Sequence, residues 1–545
     1  MSVLAEGLSF ARFALGLRSY VHHPISLDEA TDILRRRLDE REANFLDTAE
    51  QTIFGHPASP YLPLLRMAGC GIDDLRAMVS QRGLEPTLEA LRSAGVYLSA
   101  EEAKGRVPVQ RAGLEWRVTS SDLDNPRVRS QYRATSGGST GAPTYIGMDI
   151  QHLVDQAVLP MLTFSAHGTL GAPMLVWRGM MPDPTGLNHV LRGLRMGQAS
   201  DRWYTPVAGG ELKTDLKYRL ATLGTVLAVR LAGKPMPWPT PLHLQEAAVV
   251  AEWLAGALRQ HRKATVHALV STSMRVAMAA REAGLDLTGA VFVVGGEPLT
   301  PAKAREIERS GARTLPFYGF TEAPLMGAGC AVPVEPNDLH FARDRAALIR
   351  HPRAVPGSDI VVDAFHFTTL LPTAPKVLLN VQNDDYGVVE ERACGCPLER
   401  HGLTTHLREV HSFGKLHGEG VTVGGSEMVR VLEEVLPARF GGGALDYQLV
   451  EEEDEAGFTR LTLLVHPRIP LADEAAVIET VLQALRASSV AADLAQLLWR
   501  QAGSWRVRRA VPVHTARGKL LPLHLGRRNR QGPAMAPPSA RPGGE

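Results

Sequence analysis

The first 130 residues read as a series of amphipathic helices. In "SLDEATDILRRRLDEREANFLDTAEQTIF" the apolar positions recur at a spacing that fits a 3.6-residue period, and turn-rich segments such as "GHPASPYLP" interrupt the pattern. From about residue 131 the texture changes. Short apolar runs alternate with helical patterns, the signature of sheets covered by helices and hence of an α/β architecture. One βαβ-like unit is explicit: "GAVFVVGG" (289–296) is apolar, rich in strand formers and closed by glycines. "TPAKAREIERSG" (300–311) follows as a helix, with Thr300 as N-cap, Pro301 in the first turn and Gly311 past the end. "TLPFYG" is then the next strand. Its C-terminal edge carries "YGFTE" (318–322), at the edge where open α/β sheets bind ligands.

Further on, "YQLVEEEDEAGFTRLTLLVHP" reads as a hairpin around an acidic, glycine-closed turn. "DEAAVIETVLQALRAS" is an amphipathic helix with Asp473 as its cap, and "WRVRRAVPVHT" returns as a strand. These elements predict a small α+β domain after a large one. The expected division is 1–130 as the helical N-terminal part of the large domain, 131–407 as its α/β core of helix-covered mixed sheets, and 408–527 as the small domain. Residues 528–545, "RNRQGPAMAPPSARPGGE", have no core to bury and are expected to be disordered.

Composition narrows the class. At 545 residues the chain exceeds what one hydrophobic core organises, and 44% hydrophobic with 21% charged residues is ordinary for a globular protein. Fifty-nine Lys+Arg against 58 Asp+Glu give a net charge of +1, which argues against a nucleic-acid or membrane-surface protein driven by long-range attraction of the whole chain. The longest apolar stretch is broken by Asp155, Gln156, His167 and two prolines, so no membrane span is expected. The N-terminus carries Glu6, Arg12 and Arg18 and lacks the order of a signal peptide. Four cysteines make no disulfide framework, and the expected compartment is a reducing cytoplasm.

"ATSGGSTGAPT" (134–144) combines glycines, whose backbone N–H groups can approach a ligand closely, with the hydroxyls of Ser136, Ser139 and Thr140 and no acidic residue. Such a loop suits phosphate or serves as a plain Ser/Gly turn. It is no Walker loop, because the Gly-Lys-Ser/Thr step into a helix is missing. The strand-like "TYIGM" follows instead, with Asp149 as the cap of a later helix, so the loop should close a hairpin.

In order, this loop, "GGEPL" (295–299), "YGFTE" (318–322) and a late "TARGKL" (515–520) resemble the adenylate-forming superfamily of acyl-CoA synthetases, adenylation domains and luciferases. Thr144, where many members have lysine, is similar to the phenylacetate–CoA ligase branch. The resemblance covers about 131–527 and implies a large and a small domain joined by a hinge. It also implies an ATP-dependent ligase that makes an acyl- or aryl-adenylate and passes the acyl group to a thiol, coenzyme A first. A carrier protein, an amine or a phenol as acceptor, and a catalytically silent nucleotide-binding protein, stay open.

The same resemblance implies the roles. Thr135, Ser136, Gly137, Gly138, Ser139, Thr140 and Gly141 would cradle the β- and γ-phosphates. Tyr318, with Gly319 beside it, would lie against the adenine, Thr321 would bond the α-phosphate, and Glu322 would hold Mg²⁺. Gly295 and Gly296 would give close backbone approach, with Glu297 near the adenine edge. Asp385 in "NDDYGVV" would hold the ribose, Arg408 and "GKLHG" would mark the hinge, and Lys519 would bridge the attacking carboxylate and the α-phosphate. Residues lining the acid pocket should come from about 160–295, which fits an aryl or a medium acyl carboxylate. The expected partners are thus a small carboxylic acid, ATP and coenzyme A, with a homodimer left open.

Cys330, His340, Cys394 and Cys396 fit either a Cys₃His structural Zn²⁺ shell or three free thiols. Cys70 reads as a core residue. His401, His406 and His411 recur every five residues, off any one helical face, and are assigned no metal.

Overall fold

The structure is a computed structural model of the chain. It describes all residues except 1–2, 130–131, 136–144, 182, 207–215, 355–360, 413–415, 419–420, 424–427, 429, 444, 487–498, 514–522 and 526–545. Between Val3 and Ala103 the chain is mostly helical, a shorter stretch than the 1–130 expected. Leu27–Asp39 starts at Ser26, whose hydroxyl accepts from the Glu29 N–H, and Arg41–Ala49 follows after one residue. A short hairpin of β1 (Val109–Arg111) and β2 (Leu114–Trp116) ends this region. Cys70 is buried among these helices.

Next come β3 (Tyr132–Thr135) and β4 (Tyr145–Met148), which pair antiparallel on either side of residues 136–144. Asp149 caps the helix Ile150–Gln156 by accepting from the His152 N–H. Then β5 (Met174–Trp177), β6 (Arg202–Thr205), β7 (Pro239–Pro241), β8 (Ala264–Ala268), β9 (Ala290–Val294) and β10 (Arg313–Phe320) form a parallel half-sheet in the order β7-β6-β5-β8-β9-β10. Every residue of β5, β8 and β9 is buried, as strands covered on both faces must be. The helix between β9 and β10 is Pro301–Glu308, with Thr300 capping the Lys303 N–H.

The sheet then changes sense. β11 (Ala323–Gly329), β12 (Leu339–Phe341), β13 (Ala346–Ala354), β14 (Val361–Thr369), β15 (Val381–Glu391) and β16 (Thr405–Ser412) extend it antiparallel, giving twelve strands in all. The N-terminal helices pack their apolar faces on this half, with Phe45, Leu64, Leu88 and Leu91 in one buried cluster with Phe365, Phe367 and Leu407. Because β16 runs through 408 as an integral strand, the expected boundary at 407/408 falls inside the large sheet rather than between domains.

After the two-stranded β17 (Leu416–Gly418) and β18 (Val421–Val423), a four-stranded sheet forms from β19 (Tyr447–Glu453), β20 (Thr459–Val465), β21 (Trp505–Arg509) and β22 (Leu523–Leu525). β19 and β20 are the expected hairpin, and the helix Glu474–Arg486 packs against β21. This unit seats on the large one. Lys303 is buried and donates to the Thr459 hydroxyl (3.0 Å) with Glu453 3.6 Å away. The guanidinium groups of Arg275 and Arg460 lie 4.7 and 5.5 Å from the Phe458 ring, and Gln501 donates to the Pro206 carbonyl. The architecture is the α/β one expected, a large helix-covered mixed sheet followed by a small α+β unit.

His152, His267 and His366 are buried in the neutral form. Burial pushes His267 and His366 down to about 3 and His152 to about 4, from 6.5, and the cations Arg192 and Arg178 add to the effect at His267. Unfolded, all three bind protons near 6.5, so their contribution is present above that pH and lost as pH falls toward 3. Denaturant titrations should show stability falling below pH 6.5 by up to about 1.4 kcal/mol per pH unit per histidine. His366→Gln should make that slope shallower.

Candidate active site and metal centre

β10 positions the candidate active site. Residues 313–316 pair parallel with β9, whereas Phe317, Tyr318 and Phe320 pair antiparallel with β11. Phe320 faces Ala323 across the ladder, so Thr321 and Glu322 are the two residues of a tight turn. A bulge at Gly319 bends the strand end, and a Cβ there would stand 2.5 Å from the Leu325 nitrogen. Leu325 itself has φ +59°, a strained conformation for leucine. Gly295, at the end of β9, is equally constrained, because a Cβ would lie 2.8 Å from the Phe317 carbonyl oxygen.

Tyr318 and Asp385 meet although 67 residues apart. The phenol donates to Asp385 Oδ2 at 2.8 Å, and the Asn383 amide donates to the same oxygen at 2.8 Å. Burial, reinforced by the Asp385 charge, raises the Tyr318 pKa well above its usual 10, so it stays a donor. Asp384 is the other acid of the pair and turns to the opposite face, buried against Lys104 (3.3 Å). Glu322 lines a small cavity with His152, Met326, Arg345 and Thr369.

The strand ends are held by Arg178, which sequence reasoning missed. It follows β5 directly, and its Nη2 donates to the carbonyls of Ala268 (2.8 Å) and Gly295 (3.0 Å), tying β5, β8 and β9 together. Burial lowers its pKa to about 10, partly offset by Asp183 and Glu297. A lone charge straight after the apolar "MLVW" was the available signal. Asn383 was also missed; its signal was the Asn two residues before an Asp.

Glu297 and Arg408 each have partners of their own. The Glu297 carboxylate accepts from the Ser271 N–H (2.7 Å) and hydroxyl (2.9 Å), at the N-terminus of the helix Val270–Glu282. Arg408 does not join Tyr318 and Asp385. It lies mid-strand in β16, three ladder positions from Asp385, with its fork on Glu390 (both contacts 3.0 Å) and Glu335 at 3.4 Å. Of the expected phosphate residues, Thr135 ends β3; Ser136, Gly137, Gly138, Ser139, Thr140 and Gly141 lie outside the described residues, as does Lys519.

The cysteine set does come together. Cys330 follows β11, His340 sits on β12, and Cys394 and Cys396 lie between β15 and the helix Pro397–Arg400. Their ligand atoms are all within 4.8 Å of one another, with His340 Nε2 3.0 Å from Cys396 Sγ and 3.7 Å from Cys394 Sγ. These spacings suit a tetrahedral Zn²⁺, whose ligand atoms stand roughly 3.5–3.8 Å apart. His340 Nδ1 lies 2.6 Å from the Leu403 carbonyl, which fixes the tautomer with Nε2 facing the sulfurs. Hydrogen bonds with Cys330 and His340 hold the Cys396 thiol low, while the same pairing raises Cys330. His406 adjoins this centre, contrary to its exclusion on helical spacing. The segment is a strand, and His406 is buried with its ring 4.2 Å from His340 and its Nδ1 2.7 Å from Asp338.

No protein-family model matches the chain, and no curated protein matches it in sequence. Among solved structures it is similar to a 2-hydroxyisobutyryl-CoA ligase in complex with 2-HIB-AMP and CoA, at 14% identity and a TM-score of 0.57, covering 92% of this chain and 91% of that one. An o-succinylbenzoate CoA synthetase from Bacillus subtilis (12% identity, 76% and 71% covered, TM-score 0.40) also matches. So does an amide bond synthetase variant from Marinactinospora thermotolerans (14%, 88% and 92%, TM-score 0.38). The first match shows that the chain shares the fold of that ligase.

Replacing Arg178 by Met removes two charge-assisted hydrogen bonds at the strand ends. Denaturant unfolding should show a loss of about 2–4 kcal/mol, with Arg178→Lys intermediate because lysine lacks the fork.

Proposed function

We propose that the chain is an ATP-dependent carboxylate-activating ligase of the phenylacetate–CoA ligase type, with coenzyme A as acyl acceptor. The observation that carries this reading is the joining of Tyr318 and Asp385, with Asn383, beside the Thr321–Glu322 turn at the C-terminal end of the parallel strands. Open α/β sheets bind nucleotides at that edge, and the shared fold supports the same reading.

In this reading the acid's carboxylate oxygen attacks the α-phosphate, the bond to the β-phosphate breaks, and pyrophosphate leaves. A thiolate then attacks the acyl carbon and expels AMP. Asp385, oriented by Tyr318 and Asn383, accepts from the ribose hydroxyls. Thr321 donates to the α-phosphate, while Glu322 offers Mg²⁺ the hard oxygen donor that it prefers. The 135–141 loop holds the β- and γ-phosphates, and Lys519 offsets charge at the α-phosphate.

Pyrophosphate exchange across a panel of aryl and fatty acids tests the first half-reaction. Glu322→Gln and Lys519→Ala should each lower exchange by roughly 10²–10³, and absence of exchange with every acid would sink the proposal. Product mass with and without coenzyme A identifies the acceptor.

We also propose that Cys330, His340, Cys394 and Cys396 hold a structural Zn²⁺, on the strength of their donor spacing and the His340–Leu403 contact. Elemental analysis of purified protein should find one zinc per chain. Cys396→Ser should lose the metal and lower the melting temperature; a metal-free wild type would refute the site.

A further inference from the structure

The helix Leu216–Leu231 is built inside out. Its inward side carries Thr222, Thr225, Val226 and Val229, all buried, and the two threonine hydroxyls donate to carbonyls one turn back. Its outward side carries Leu216, Leu220, Leu223, Leu227 and Leu231, between 39% and 79% exposed. Spacings of four, three, four and four put these leucines in one stripe. Single exposed leucines are ordinary, whereas a contiguous row marks a contact surface.

Along the helix and its exit the charges have one sign. From 216 to 234 the ionisable side chains are Lys217, Arg219, Arg230 and Lys234, with no acid among them apart from the phenol of Tyr218. Arg219 and Arg230 are exposed on the same flank of the stripe. The Arg230 guanidinium lies 5.9 Å from the ring of the half-exposed Trp238. The helix Val3–His22 packs alongside, its His22 ring 2.8 Å from the Ala232 carbonyl, and adds exposed Arg12, Leu15 and Arg18.

A second copy of this face would bring only more cations to the contact. An anionic lipid surface supplies both an apolar layer for the leucines and phosphates for the arginines, and tryptophan favours that boundary. We propose that this face seats on an anionic membrane surface, with the leucine stripe in the headgroup–acyl boundary. The balanced net charge of the whole chain conceals this local asymmetry.

Flotation of the full-length protein with vesicles of phosphatidylcholine, with or without phosphatidylglycerol, tests the proposal. The protein should float with the anionic vesicles, less so as salt rises. Arg219→Glu with Arg230→Glu should lower the bound fraction at least about tenfold. Leu220→Glu with Leu227→Glu should abolish binding while leaving the melting temperature unchanged. Failure to float with either vesicle overturns the proposal, and so does undiminished binding by the leucine variant. Light scattering that finds a dimer split by the leucine variant, with no flotation, would assign the stripe to a second copy instead.

Discussion

The large unit depends on one strand serving both halves of its sheet. β10 pairs parallel with β9 over its first half and antiparallel with β11 over its second. The two patterns place their hydrogen bonds differently, so the backbone must adjust where they meet. The adjustment falls on Phe317–Phe320, where Gly295 and Gly319 remove the Cβ atoms that would block the approach of neighbouring chains. The Tyr318 phenol and the Thr321–Glu322 turn are aimed by this change of sense.

The candidate active site and the cysteine centre share a beam. β11 begins right after Glu322 and ends right before Cys330. Its partner β12 carries His340, and β15, two strands further, carries Asp385 near its start and leads into Cys394 and Cys396. A metal clamp on the far end would fix the register of the strands that bring Tyr318 and Asp385 together.

Much of this was legible in the sequence because it is local. The β9–helix–β10 unit, with its Thr300 cap, the β3–β4 hairpin and the β19–β20 hairpin all rest on period, caps and turn residues. The D-x-G spacing that favours Asp385 over Asp384 has a geometric counterpart, because strand alternation gives the two carboxylates different partners, Tyr318 and Lys104. What escaped depends on distant partners. Arg178 acts on carbonyls 90 and 117 residues away, and the Glu390 partner of Arg408 stands across a strand pair. His406 was dismissed by helical geometry in a segment that is a strand. The leucine stripe was missed because period alone cannot say which face of a helix is turned outward.

The seat of the small unit has its own consequence. Lys303, Thr459, Glu453 and Gln501 make it with hydrogen bonds and an ion pair, and Phe458 contributes through arginine faces. Beneath these polar partners one buried apolar cluster runs from Ala304 and Ile307 of the large unit to Phe458, Leu461 and Trp499 of the small one. Water can take the place of the hydrogen bonds when the surfaces part, but it cannot take the place of that cluster, so the contact acts as a latch whose release wets hydrocarbon.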